Sequence, residues 1–257
     1  MLFYQLQGEP ERFLNFIGLL YESIVIFIAI IILMLIYLKY KEKGHELTLY
    51  LFLIFIFYVL GVFFSWAAKL AVVLRLDLQV EEFSVVGWFF YRILSFRISE
   101  FMICIAIFLS YVLKVKLFHE GFYNQSHKIV VIIFGSFTSV YVLIFYMFQD
   151  TSLAVLLDTI AFLLTCIFMG MIYIPFFYRS MEAYNSVKEP QYKRAFLSLA
   201  IMSVCYILIF FNFFLDRLCI LLFDIIGFTP FYFLAWALAL VAIVGAYYGY
   251  IRPKAEE

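Results

Sequence analysis

The chain has 257 residues, of which 67% are hydrophobic and 22% aromatic, against 14% charged. The 18 Lys and Arg balance 18 Asp and Glu, so net charge says nothing about partners. An apolar excess this large excludes a water-soluble core and points to an integral membrane protein.

A bilayer interior of about 30 Å takes roughly 20 apolar residues per helix. Seven stretches meet that requirement, near 14–38, 47–70, 85–113, 129–148, 152–178, 195–220 and 229–250. Their connections are short and lack Pro/Gly/Ser-rich linkers. Residues 1–257 therefore read as a single polytopic domain, an all-α seven-transmembrane bundle. The start, Met1 to Arg12, is polar and acidic and lacks the pattern of a signal peptide, so the first span is expected to remain in the mature protein.

Lys and Arg in the short loops alternate through all seven spans. One side carries Lys39, Lys41, Lys43, Lys114, Lys116, Lys128, Arg179, Lys188, Lys193, Arg194, Arg252 and Lys254. The other carries Arg12, Lys69, Arg75 and Arg217 beside Asp77, Glu81, Glu82, Asp150 and Asp224. The positive-inside rule then places the N-terminus outside and the C-terminus in the cytoplasm of a multi-pass cell-membrane protein.

In chain order, span 1 carries Glu22 about 12 Å below its start, and span 2 carries Lys69 one turn from Ser65. Span 3 is the most charged. With Trp88 at the outer interface, Arg92, Arg97 and Glu100 lie about 6, 13 and 18 Å deep on a continuous helix. At 100° per residue they share an arc of about 140°, with Ser99 roughly 20° beyond Arg92. Span 5 carries Asp158 about 9 Å below its start, and span 6 carries Asn212 one turn from Asp216. The inner halves of the spans are almost purely apolar. Pro175 sits near the inner end of span 5 and Pro230 opens span 7, where a first turn tolerates proline. Paired Gly or Pro interruptions, the sequence mark of unwound transporter helices, are missing, which favours continuous helices.

Span 7 also carries small residues at helical spacing: Ala235, Ala239, Ala242, Ala246 and Gly249, with Gly245 and Gly249 forming G-x-x-x-G. Such a face packs inside the bundle or forms a homo-oligomer or partner interface. Spans 1–3 and 5–7 are loosely alike, each set opening with an early acid (Glu22, Asp158) and closing on a basic edge, "SYVLKVK" or "YYGYIRPK". This three-plus-one-plus-three plan resembles that of small sugar transporters and retinal proteins in architecture alone. The last span holds no lysine for a Schiff base.

Ionisable side chains at helix centres are costly, roughly 2.5–3.5 kcal/mol on insertion scales, and face a partner or a cavity. Four basic groups (Lys69, Arg92, Arg97, Arg217) face four acidic ones (Glu22, Glu100, Asp158, Asp216) in the outer half. One reading is an ion-pair network fixing helix register, Arg97 meeting Glu22 or Asp158 and Glu100 meeting Arg92. Another is an outward-opening pocket in which Arg92 and Arg97 grip an anionic ligand through their planar forks. A proton path through Glu22, Glu100 and Asp158 is a third.

Catalysis, metal and cofactor are not expected. His45, His119 and His127 fall in cytoplasmic loops, away from any intramembrane zinc or Ser–His site. Cys104, Cys166, Cys205 and Cys219 lie within spans as small apolar residues, and no C-x-x-C occurs. The leading expectation is a receptor or sensor module that binds a small anionic ligand from outside. It would signal through basic loops 39–46, 114–128 and 179–194 to a separate membrane or cytoplasmic partner. The alternatives are a secondary transporter or ion channel using the same charges, and a structural subunit of a membrane complex. Lipid is the surrounding partner, and no nucleic acid is expected.

Overall fold

The computed structural model describes residues 10–44, 46–76, 84–118, 125–144 and 152–250. Among them are eight helices and no strand: α1 (Pro10–Lys43), α2 (Glu46–Leu74), α3 (Val85–Leu94), α4 (Arg97–Phe118), α5 (Gln125–Ile144), α6 (Ser152–Ser186), α7 (Pro190–Phe223) and α8 (Pro230–Tyr250). Seven are long and apolar enough to cross a membrane, and α3, at ten residues, is not. At 34, 35 and 34 residues, α1, α6 and α7 each reach about 50 Å, well past a hydrocarbon layer of about 30 Å.

Proline stands in the first turn of α1, α7 and α8, where its missing N–H has no intrahelical partner to lose. At its far end α7 is closed by Asp224, whose left-handed backbone (φ 50°) lets its N–H reach the Ile220 carbonyl. The helices pack in chain order as a ring that closes where α1 meets α8, and α6 touches α4 across it. Near the middle, Tyr58 of α2 and Tyr173 of α6 bring their hydroxyls to 3.0 Å. Tyr173 donates to Ser110 of α4 at 2.8 Å, and Tyr58 stacks on Tyr206 of α7 at 4.7 Å. Four helices are thereby tied at one level.

The small-residue face of α8 is taken up within the bundle. Ala235, Ala239, Ala242 and Ala246 are buried. A Cβ on Gly245 would lie 3.2 Å from the Ser198 carbonyl and 3.5 Å from the Cβ of Met202, so α8 lies close along α7 there. The surroundings of Gly249 lie outside the described residues.

The continuous third span expected over 85–113 is instead two helices. α3 stops at Leu94, Ser95 caps it, Phe96 turns left-handed with φ 62°, and α4 begins at Arg97. The Ser95 N–H and hydroxyl both donate to the Tyr91 carbonyl, at 3.0 and 2.9 Å. The Phe96 N–H reaches the Ile93 carbonyl at 3.0 Å. A left-handed residue after a helix is normally Gly or Asn. For a residue with a Cβ it costs about 1–2 kcal/mol, so Phe96 has to be held there by contacts made elsewhere.

The described helix of the fourth span is Gln125–Ile144, and residues 145–148 of the expected span lie outside the described set. His127, expected in a loop, occupies the first turn of α5 and stacks on Tyr111. His45 and His119 lie outside the described residues.

Candidate functional site

Glu22 of α1 is wholly buried, and a single oxygen carries its bonds. Its Oε1 accepts from Lys69 Nζ, Ser65 Oγ and Tyr232 Oη, each at 2.8 Å. Lys69, itself 1% exposed, is also 3.0 Å from the Ser65 hydroxyl one helical turn away. Gly18 makes the room: a Cβ there would lie 2.7 Å from the Phe228 ring and 3.1 Å from the Lys69 side chain. Three helices, α1, α2 and α8, meet in this knot. A charge pair at such depth is costly unless hydrogen bonds support it. Ser65 and Tyr232 add donors to Oε1 here, while Oε2 is buried with no hydrogen-bond partner among the described residues.

A second cluster forms where α3 gives way to α4. Arg97, 1% exposed, binds Asp158 of α6 through Nη2 and Glu100 through Nη1, the latter at 3.4 Å. Glu100 is 3% exposed, and its Oε1 has no hydrogen-bond partner. Of the two partners expected for Arg97, Asp158 is the one it meets and Glu22 is not, and Glu100 meets Arg97 rather than the expected Arg92. The reason is the break at Phe96: the angular arithmetic of one helix does not carry from Arg92 to Arg97. The acids at matching points of spans 1 and 5 also have unlike partners, Lys69 for Glu22 and Arg97 for Asp158.

Arg92 turns the other way. Its Nε donates to the Leu143 carbonyl at 3.0 Å and its Nη1 to the Trp88 carbonyl at 3.1 Å, with the guanidinium 3.8 Å over the Trp88 ring. Arg92 thus ties α3 to the Leu143 carbonyl of α5. Ser99 ties α4 to α2 by donating to the Gly61 carbonyl at 2.6 Å. Asn212 donates to the Leu208 carbonyl within its own helix. Asp216 accepts from the Thr229 N–H and hydroxyl, at 2.9 and 2.7 Å, and so fixes the start of α8 against the end of α7.

Two cavities lie along the bundle axis. A vestibule of about 180 Å³ is bounded by Glu11, Asn15, Asp216 and the 226–228 turn, at the end of the bundle where α1 begins. A chamber of about 90 Å³ lies deeper, walled by Phe162, Tyr206, Phe210, Phe213 and Trp236, with Ser99 and Glu100 on its rim. Four residues line both: Lys69, Phe96, Arg217 and Tyr232. They form the waist between the two spaces. The Phe96 ring lies 4.5 Å from Lys69 Nζ and 5.4 Å from the Arg217 guanidinium, and Arg217 also faces the Phe162 ring at 5.6 Å. These cation–π contacts supply the tertiary hold on the left-handed Phe96.

Lys69 is already balanced by Glu22, whereas Arg217 makes no hydrogen bond or ion pair among the described residues. Neither Arg92 nor Arg97 lines the vestibule or the chamber. The cations that face open space are thus Lys69 and Arg217 rather than the expected Arg92 and Arg97. Phe96 and Tyr232 are functional candidates that sequence reasoning passed over. An aromatic residue in an apolar span carries no signal of its own, and only the left-handed turn and the flanking cations single out Phe96. At the opposite end, Lys39 pairs with Glu42, Lys116 with Glu46 and Arg179 with Glu182.

No protein-family model matches the chain, and neither a curated protein nor a solved structure is significantly similar to it. What the site does has to be argued from its geometry.

Proposed function

We propose that this chain is a seven-helix receptor or sensor of the cell membrane that takes a small anionic ligand from outside into the vestibule. The observation that carries the reading is Arg217, a guanidinium at the waist with two aromatic faces beside it and no carboxylate bonded to it among the described residues. Arginine offers an anion two parallel donors, and a low-dielectric wall strengthens them. Below the chamber the tyrosine tie of Tyr58, Tyr173 and Tyr206 closes the axis, so a ligand would stop there and bias helix packing. The output runs through loops 39–46, 114–128 and 179–194 to a separate protein, because a ligand acts only by favouring one packing over another that the partner reads.

The test is thermal unfolding of the full chain in nanodiscs against a panel of small carboxylates and phosphates. A ligand at a hundred times its Kd is expected to add about 2.7 kcal/mol of stability, and Arg217→Gln is expected to remove that gain. A panel with no stabilising anion, or one whose effect survives Arg217→Gln, overturns the reading.

One observation favours a secondary transporter as the second reading. The third span is interrupted at Ser95–Phe96 beside the cavity, as helices that line transport sites are. Proteoliposome flux separates the two: a transporter moves the stabilising anion across the bilayer, and a receptor only binds it.

A further inference from the structure

The chamber holds a second unanswered group. Glu100 is 3% exposed and lines the chamber, and while its Oε2 meets Arg97, its Oε1 has no hydrogen-bond partner. Arg97 meets two carboxylates, Glu100 and Asp158. Arg217, on the wall of the same chamber, is the cation without a bonded anion among the described residues. Glu100 and Arg217 do not pair with each other. One cavity therefore presents a carboxylate oxygen seeking a donor and a guanidinium seeking an anion, with aromatic rings around them.

We infer that the ligand is a zwitterionic amino acid with an aromatic side chain, its ammonium on Glu100 Oε1, its carboxylate on Arg217 and its ring among Phe162, Phe213 and Trp236. The inference rests on the anion reading of Arg217 and adds the second charge and the body of the ligand to it. A buried site disfavours any net charge brought into it. A bare anion satisfies Arg217 but leaves Glu100 Oε1 unmet, and a bare amine does the reverse. A zwitterion meets both and adds no net charge. The aromatic walls suit a ring through edge-to-face contact, and they hold an ammonium through their negative faces. The polar groups are few and sit at one edge of an apolar space, the ordinary build of a small-molecule site.

The experiment uses the full chain in nanodiscs and three probes that differ by one charged group: L-phenylalanine, 3-phenylpropanoate and 2-phenylethylamine. Phenylalanine is expected to bind at least about tenfold more tightly than either of the others, the worth of one charge-assisted hydrogen bond. Glu100→Gln and Arg217→Gln are each expected to weaken phenylalanine by about tenfold, with Glu100→Gln leaving 3-phenylpropanoate unchanged. The wild-type probe series needs no variant to fold. If 3-phenylpropanoate binds as tightly as phenylalanine and is lost in Arg217→Gln, the zwitterion is overturned while the anion reading stands. If 2-phenylethylamine binds as tightly and Arg217→Gln changes nothing, both fall. If none of the three binds at millimolar concentration, the aromatic amino acid is overturned, and the carboxylate and phosphate panel decides the anion reading by itself.

Discussion

The two buried charge clusters are built from the same residue types and behave as opposites. Around Glu22, one cation meets one carboxylate, and Ser65 and Tyr232 add neutral donors to the same oxygen. All its members sit on uninterrupted helices. Around Arg97, one cation meets two carboxylates at the very start of a helix, Glu100 lines the chamber, and Asp158 is 24% exposed. The first cluster pairs one cation with one carboxylate, Glu22, which lies away from the cavity wall, and its work is to hold α1, α2 and α8 together. The second is open toward a cavity, which Glu100 lines. Intramembrane charge is thus not one kind of evidence: each cluster leaves one carboxylate oxygen without a partner, and bordering a cavity is what separates Glu100 from Glu22.

That contrast can be attacked from the scaffold side first. Lys69→Met leaves the Glu22 carboxylate buried without a cation and is expected to cost about 4 kcal/mol. The loss shows as a lower Tm of the detergent-extracted protein, and Glu22→Gln with Lys69→Met together is expected to recover part of it. A Lys69→Met protein as stable as the wild type would erase the distinction between the clusters. Arg97→Gln is expected to cost less, about 3 kcal/mol, since Asp158 can turn to water once released. Gly18→Ala tests the space that the knot needs. A Cβ 2.7 Å from the Phe228 ring is overpacked, and about 2 kcal/mol of destabilisation is expected in the same melt.

The smallest stability effect belongs to Phe96→Gly. Glycine relieves the left-handed backbone of about 1–2 kcal/mol but loses the ring between two cations, worth a comparable amount. Stability is expected to change little. Access is expected to change more: Val62→Cys, on the chamber wall of a cysteine-free background, should react faster with a water-soluble thiol reagent when Phe96 is Gly. An unchanged rate would mean that Phe96 does not close the waist.

Hydropathy was enough for the class, because spanning a bilayer demands long apolar helices whatever they pack against. The start of the last span was legible too, with Pro230 at its first turn, whereas α7 begins at Pro190 rather than near the expected 195. Chemistry at the site was only half legible. Glu22, Lys69, Ser65 and Asp158 could be singled out as polar groups in an apolar setting, yet their partners could be named only as alternatives, Arg97 with Glu22 or Asp158, since pairing runs between helices far apart in sequence. Arg92 and Arg97 looked alike in the sequence and part company at the break. Residue type alone marks a guanidinium as an anion binder, but Arg92 donates to the Leu143 and Trp88 carbonyls and Arg97 is occupied by two carboxylates.

The break itself shows the limit most clearly. "LSFR" contains no glycine or proline, so no local rule ends a helix there. Phe96 is left-handed because Lys69 from α2 and Arg217 from α7 stand on either side of its ring, a cause that exists only once the bundle has assembled. Sequence by itself determined the all-helical class, the seven stretches long and apolar enough to cross a membrane and the half of the bundle where charge collects, all of which follow from local composition and period. Tertiary structure decided which charges cancel, which one stays open and where the cavity lies, because those depend on distances between helices that no single helix encodes.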